Sequence, residues 1–189
     1  MKTVEFLIGG VSIQVLEPSG QRSDSSGQFP RNFGMVNDTL YRGSWPNAEQ
    51  LNRMGNKLGL KTVVTLHSKY GEEPRKLALL RSQLPAGMRH YDLEVQSASS
   101  FIVAAQTVIG LEGPTYIHCS AGANRTGKTV LIAQILLDCN CGRVVTQPRL
   151  QQYLSQALEF GFDHEKSYKR VLEEALEILL LEGKIILAQ

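Results

Sequence analysis

Five residues separate Cys119 from Arg125, among them two alanines and Gly122. Before them, Thr115-Tyr116-Ile117-His118 is a short β-type run. After them, Val130, Leu131, Ala133, Ile135, Leu136 and Leu137 carry a helical pattern. A loop wrapped onto a helix N-terminus aims its backbone N–H groups at one point, which makes an anion site. A cysteine that opens such a loop faces the N–H groups, the helix dipole and the Arg125 guanidinium, and all three favour thiolate over thiol. The thiolate is a nucleophile, and the planar fork of Arg125 matches two phosphate oxygens. Thr126 adds a hydroxyl within reach of the Cys119 sulfur. The expected site is a phosphate cradle with a nucleophile at its floor. Cys119 and Arg125 are its catalytic pair, and Ser120, Ala121, Gly122, Ala123, Asn124, Arg125 and Thr126 surround the phosphate.

The same residues satisfy a second pattern. Gly122-Ala123-Asn124-Arg125-Thr126-Gly127-Lys128-Thr129 fits the nucleotide-binding loop G-x-x-x-x-G-K-[ST], with Lys128 on the phosphates and Thr129 on magnesium. Such a loop needs further parallel strands after it, one ending in a magnesium-holding Asp. About sixty residues follow Thr129 and they read as helices. His118-Cys119 also has no part in nucleotide binding. In the phosphate-cradle reading, Lys128 is a first-turn helix residue facing solvent.

Elements that position the cradle are legible on either side. Val4–Ile8 and Val11–Val15 flank Gly9-Gly10, a two-residue turn, and predict a β-hairpin that packs on a sheet edge. Residues 17–31 are rich in Ser, Gly and Pro and read as an exposed connection. Leu40-Tyr41-Arg42 is a short strand. Asn47 and Gln50 stand in capping-box spacing before Leu51, Met54 and Leu58, and Gly59 ends that helix. Thr62–Leu66 is a β-branched strand of the parallel, doubly covered kind, and residues 67–71 form the loop at its C-terminal end. A helix over 72–84, a strand over 88–95 and a helix over 101–111 follow, then the cradle strand and a helix to about Asp138. Two more helices are marked by Leu150, Tyr153, Leu154, Ala157 and Leu158, and by Tyr168, Val171, Leu172, Ala175, Leu176 and Leu179. The fold class is α/β, a three-layer sandwich with a mainly parallel central sheet covered by helices. The expected organisation is one domain over 1–189: hairpin and connection over 1–31, catalytic core over 32–160, helical segment over 161–189. In such folds the loops at the C-terminal ends of the strands build the site.

The cradle resembles the His-Cys, five residues, Arg, Ser/Thr motif of the cysteine-dependent tyrosine and dual-specificity phosphatases, at His118, Cys119, Gly122, Arg125 and Thr126. Upstream, Asn32-Phe33-Gly34-Met35-Val36, Leu40–Pro46 and Gly59–Leu66 look like the entry segments of the small atypical dual-specificity phosphatases of bacteria, fungi and plants. The likeness spans about residues 30–160. It implies a metal-independent phosphomonoester hydrolase working through a phosphocysteine, of protein tyrosine or dual-specificity type, with no cofactor. It also implies that His118 and Thr126 support the loop. An inositol phosphate or other small-molecule phosphatase is the alternative. Similar bacterial enzymes often carry Asp at position 124, and those acting on inositol polyphosphates carry basic residues in the loop. Here Ser120, Ala121, Ala123 and Asn124 are all neutral, which points to a phosphomonoester such as phosphotyrosine.

In this family an Asp usually protonates the leaving group, from the loop after the strand that precedes the cradle strand. Gln96–Ser100 offers no carboxylate, which leaves a non-catalytic phosphate binder as a further alternative. Asp92, on the face shared with His90 and Glu94, is the expected acid by residue type, with Glu94 nearer the strand end; the alternative is that both are solvated strand residues and water or Thr126 helps instead. Arg42 is expected in a structural ion pair.

Composition sets the frame. The 189 residues are 42% hydrophobic and 20% charged, as in ordinary globular chains. A net charge of +2 gives no argument for nucleic acid or a membrane as partner. The expected partner is a phosphorylated protein or a small phosphomonoester. Three cysteines imply no disulfide framework, and a thiolate enzyme suits a reducing, cytoplasmic setting. Cys139 and Cys141 lack the spacing for a metal site.

Overall fold

Short β-branched runs alternate with amphipathic stretches from residue 34 to the cradle, and the chain folds accordingly. The computed structural model describes residues 2–18, 27–68 and 74–187. Its elements are β1 (Thr3–Ile8), β2 (Val11–Leu16), β3 (Gly34–Met35), β4 (Leu40–Gly43), α1 (Ala48–Leu58), β5 (Thr62–His67), α2 (Pro74–Gln83), β6 (Arg89–Glu94), α3 (Ala98–Ile109), β7 (Thr115–His118), α4 (Asn124–Asn140), β8 (Val145–Thr146), α5 (Gln147–Glu159), α6 (Lys166–Leu181) and β9 (Ile185–Ile186). The central sheet runs β3-β4-β7-β5-β6. Strands β4, β7, β5 and β6 are mutually parallel, and β3 closes one edge antiparallel to β4.

Side-chain alternation along each strand decides which helices cover which face. Tyr41, Val63 and Tyr116 meet Leu51 and Met54 of α1 and Leu80 of α2. Leu40, Val64, Leu66 and Ile117 face the larger core built by α3, α4, α5 and α6. The sheet is thus covered on both sides, which is why Thr62–Leu66 is buried throughout. Helix α1 starts as its spacing predicts. The Gln50 amide N–H donates to Asn47 Oδ1 at 2.8 Å, and the Asn47 N–H donates to Gln50 Oε1 at 3.1 Å.

The hairpin pairs Ile8 with Val11 across Gly9 and Gly10, whose φ values of +55° and +78° suit a two-residue turn of the primed type. Its position differs from the expected sheet edge. Val4, Phe6, Ile8, Ile13 and Val15 form one apolar face, and that face lies on α5 and α6 as an additional outer layer. Polar contacts fix it there: Glu173 Oε1 accepts from the Leu7 N–H at 2.7 Å, and the Gln151 amide donates to the Gln14 carbonyl. Two-residue strands β8 and β9 pair beyond α4, too short to show a periodicity in the sequence. Positions 69–71 of the loop after β5, Lys69 among them, and positions 19–26 of the early connection lie outside the described residues. Among the described residues no helix is long and apolar enough to cross a membrane.

Candidate active site

Strand β7 ends at His118, whose neighbours in register are Gly43 on β4 and Thr65 on β5. Cys119 is the next residue and is buried at the floor of the loop that leads into α4. The loop is shaped from outside, where three consecutive carbonyls are held by donors. Ser120 O accepts from the Trp45 backbone N–H at 3.1 Å, Ala121 O from Asn32 Nδ2 at 2.9 Å, and Gly122 O from Arg42 Nη2 at 2.7 Å. In a planar trans peptide the N–H opposes the C=O. Carbonyls tied outward therefore turn the N–H groups of Ala121, Gly122 and Ala123 into the loop, towards one point above Cys119. Gly122 makes the tight turn possible. Its φ is +72°, and an added Cβ would lie 2.2 Å from the Gly43 carbonyl carbon. Asn32, itself at φ +54°, is a residue type that accepts this conformation.

Arg125 opens α4 and donates from Nη1 to the Leu66 carbonyl at 2.9 Å, which anchors the guanidinium at the C-terminal end of β5. The Thr126 hydroxyl is fully buried and has no hydrogen-bond partner among the described residues. It therefore makes no hydrogen bond to the Cys119 sulfur. One residue is about 100° of helix rotation, so Thr126 leaves the face that Arg125 occupies.

His118 sits in a hydrogen-bond chain whose direction follows from its ends. The Cys119 carbonyl can only accept, so His118 Nδ1–H donates to it at 3.3 Å. His118 Nε2 then accepts from the Thr65 hydroxyl at 2.9 Å, and Thr65 Oγ1 accepts from His90 Nε2–H at 2.9 Å. His90 Nδ1 takes Arg81 Nε–H at 3.3 Å. Burial pushes the His118 pKa down to about 3, and burial also lowers that of His90, so both rings are neutral as this chain requires. His118 thus orients the backbone at the nucleophile.

Asp92 lies beyond the other end of that chain. It pairs in register with Thr65, as His118 does from the opposite side of β5, so two strand spacings of about 4.8 Å separate Asp92 from His118. Its Oδ2 lies 3.6 Å from Arg81 Nη2, and its Oδ1 lies 3.2 Å from His67 Nε2 at ion-pair distance without hydrogen-bond alignment. The structure thus places the Asp92 carboxylate between Arg81 of α2 and His67, which follows the Leu66 carbonyl that holds Arg125. Glu94 accepts from the Gln96 amide at the strand end.

Arg42 is likewise not in the expected ion pair. Among the described residues it meets no carboxylate. Its guanidinium lies 4.3 Å over the Phe160 ring, and burial lowers its pKa to about 10, opposed by the charge of Cys119. Lys128 departs furthest from expectation. It is 3% exposed, and its ammonium lies 5.0, 5.6 and 4.9 Å from the ring centres of Phe101, Phe162 and Tyr168. The apolar surroundings of α4 enclose even its first turn. The Thr129 hydroxyl donates back to the Arg125 carbonyl at 3.0 Å. With Lys128 caged and Thr129 bonded within its helix, neither is arranged for a nucleotide and its magnesium.

Two residues of the entry segment and the loop have roles that only long-range contacts show. Asn32 acts from the entry segment, and Asn124 Oδ1 accepts the Asp163 backbone N–H at 2.6 Å, which ties the α5–α6 loop to the cradle. Such ties join positions 39 or more residues apart, beyond any local spacing. Among the described residues no group of three or more His, Cys, Asp or Glu is arranged to hold a metal.

Comparison with known proteins gives the family and the fold. A model described as the tyrosine phosphatase family matches residues 29–147. The dual specificity protein phosphatase TpbA of Pseudomonas aeruginosa is 30% identical over 141 residues, which are 70% of this chain. The chain spans 61% of the length of that relative. The crystal structure of P. aeruginosa TpbA superposes with a TM-score of 0.55 at 22% identity, over 85% of this chain and 95% of that one. The core catalytic domain of the PP-IP phosphatase SIW14 from S. cerevisiae gives 0.54 at 21% identity, over 82% and 95%. The family model covers well over half of the residues and includes the whole cradle, and the chain belongs to the tyrosine phosphatase family.

Proposed function

We propose that the chain is a cysteine-dependent phosphatase of the protein tyrosine or dual-specificity type, acting on phosphomonoesters without a metal. The Cys119 thiolate attacks phosphorus in line with the leaving oxygen. The S–P bond forms as the P–O bond breaks, and the leaving oxygen takes up a proton. Arg125 and the inward N–H groups hold the equatorial oxygens, whose charge is shared among fixed donors. Water then attacks phosphorus, the S–P bond breaks, and inorganic phosphate leaves with the thiolate restored. The observation that carries the proposal is the outward tethering of the Ser120, Ala121 and Gly122 carbonyls above a buried cysteine. The chain's similarity to TpbA, a dual specificity phosphatase, supports the substrate type. A thiolate enzyme works in a reducing compartment, and we propose a cytoplasmic one.

Asp92 stays a candidate for the leaving-group proton, as its residue type suggests. The second candidate is Asp163: its backbone N–H is bonded to Asn124 of the cradle and its charge acts on Lys128 beside Arg125, while its Oδ1 accepts the Glu165 N–H at 2.9 Å.

The test is turnover of p-nitrophenyl phosphate in the presence of a chelator. Product release proportional to enzyme, lost in Cys119→Ser while vanadate still binds, is expected. A wild-type chain that binds vanadate and releases no product is a phosphate binder instead.

A further inference from the structure

Beside the cradle lies a cavity of about 390 Å³ between the end of β6, α3 and α6. Val95, Phe101 and Val171 make its apolar wall, and Gln96 is at its rim. Two cations reach it, Arg125 and Lys128. They stand three residues apart at the start of α4, so they share one helix face. That face is at the N-terminus, where the helix dipole favours negative charge.

The condition of Lys128 is unusual. Its side chain is almost wholly buried, yet among the described residues its ammonium has neither a hydrogen-bond acceptor nor an ion-pair partner. Ring faces on three sides stabilise the charge, but they leave its N–H groups without an oxygen to bond. Burial lowers its pKa to about 8; Cys119 and Asp163 act in the opposite direction from a distance. A solvated lysine would have none of these features. The cage fixes the ammonium at the wall of a cavity that opens onto the cradle.

We propose that this cavity is a second anion subsite, in which Lys128 receives a phosphate or carboxylate carried on the leaving part of a small-molecule substrate. The proposal rests on the cysteine-phosphatase chemistry above and goes beyond its protein-substrate type by adding a further substrate class: a compact phosphomonoester with a second anion about one helical turn from the scissile phosphate. Arg125 is shared between the two anions, as the cation nearest to both. The cavity volume suits a small molecule. A phosphotyrosyl peptide would carry its next acidic side chain outside, beyond the length of the phenyl ring.

The experiment compares 3-carboxyphenyl phosphate with 3-carbamoylphenyl phosphate, which differ in charge at nearly constant shape. Wild type should favour the carboxylate ester by about tenfold or more in kcat/KM. Lys128→Met should bring the ratio close to one, and Lys128→Arg should keep part of it. If Lys128→Met does not fold, Gln96→Glu serves: a carboxylate on the cavity rim should cut the ratio. A ratio near one in wild type, or one that Lys128→Met leaves intact, overturns the proposal. So does a phosphotyrosyl peptide that gains from a flanking glutamate over glutamine while the small esters show no difference. Calorimetry of the two esters with Cys119→Ser reads the same ratio without turnover. Absence of turnover in wild type would then remove the phosphatase reading, and a charge preference in binding, lost with Lys128, would leave the subsite standing.

Discussion

Arg42 Nη2 donates to the Gly122 carbonyl at 2.7 Å, reaching from the strand beside β7 to the outside of the tightest turn of the cradle. The guanidinium is buried on the Phe160 ring, and its charge acts on Cys119 from behind the loop. Removing it leaves a buried carbonyl unpaired, at a cost of about 1–3 kcal/mol, and frees the peptide that turns the Ala123 N–H inward. Arg42→Met should therefore weaken vanadate inhibition and lower kcat/KM on p-nitrophenyl phosphate by about tenfold or more, with Arg42→Lys in between. Unchanged vanadate affinity in a folded Arg42→Met protein would show that the tether does not shape the cradle.

Gly122 is the partner of that bond, and it should tolerate no side chain. Its positive φ strains any L-residue, and a Cβ would strike the Gly43–Ser44 backbone, which cannot swing aside as a side-chain tip can. Gly122→Ala should cost more in vanadate affinity than in global stability, because the loop can open while the sheet stays paired. Thermal melts and vanadate inhibition on the same sample measure both.

How far the sequence discloses this site depends on the range of each contact. The cradle was legible because Cys119, Gly122 and Arg125 act within one short loop between a strand and a helix, each with local patterning. Thr62–Leu66 and the Asn47–Gln50 cap were legible for the same reason. The hairpin's pairing follows from Gly9-Gly10, but what its apolar face covers depends on α5 and α6, more than a hundred residues away. Lys128 reads as solvent-facing from its first-turn position. It is buried because Phe101, Phe162 and Tyr168, from three other segments, close over it. Asp92 has the residue type of an acid, and only its register with Thr65 and its pairing with Arg81 show where it points.

His118 should make the fold sensitive to acid. Its native pKa of about 3 lies below the unfolded value of 6.5, so between those values the unfolded chain binds a proton that the native chain refuses. Stability from this group is fully present above pH 6.5 and falls as pH drops, by about 2 kcal/mol at pH 5. His118→Gln, which keeps polar contacts without titrating, should flatten the part of the melting-temperature profile between pH 7 and 5. A profile identical to wild type would mean that His118 ionises freely in the folded state.

Lys128 should act in the opposite pH range. Its pKa of about 8 lies below the unfolded value of 10.5, so its charge opposes folding below pH 8 and this penalty fades as pH rises from 8 towards 10.5. The penalty is at most about 3 kcal/mol, since the rings return part of it. Lys128→Met should melt higher than wild type at pH 7, with the gap narrowing by pH 10. A gap independent of pH would assign the gain to packing alone.

The last prediction separates the two carboxylates that compete for the role of general acid. Asp163 is held to the cradle through its own N–H on Asn124 Oδ1, whereas Asp92 is held by Arg81 and His67 on the α2 side. A true acid matters most when the leaving oxygen is basic, so its loss costs about 10²–10⁴-fold on phenyl phosphate and much less on p-nitrophenyl phosphate. Asp163→Asn should show that leaving-group dependence and should remove the basic limb of the pH profile on phenyl phosphate. Asp92→Asn should lower both substrates by a similar, smaller factor. Its effect runs through Arg81, His90, Thr65 and His118 to the carbonyl of Cys119, a path that positions the nucleophile and is indifferent to the leaving group. If Asp92→Asn instead loses far more on phenyl phosphate than on p-nitrophenyl phosphate, the ion pair with Arg81 opens during turnover and Asp92 is the acid after all.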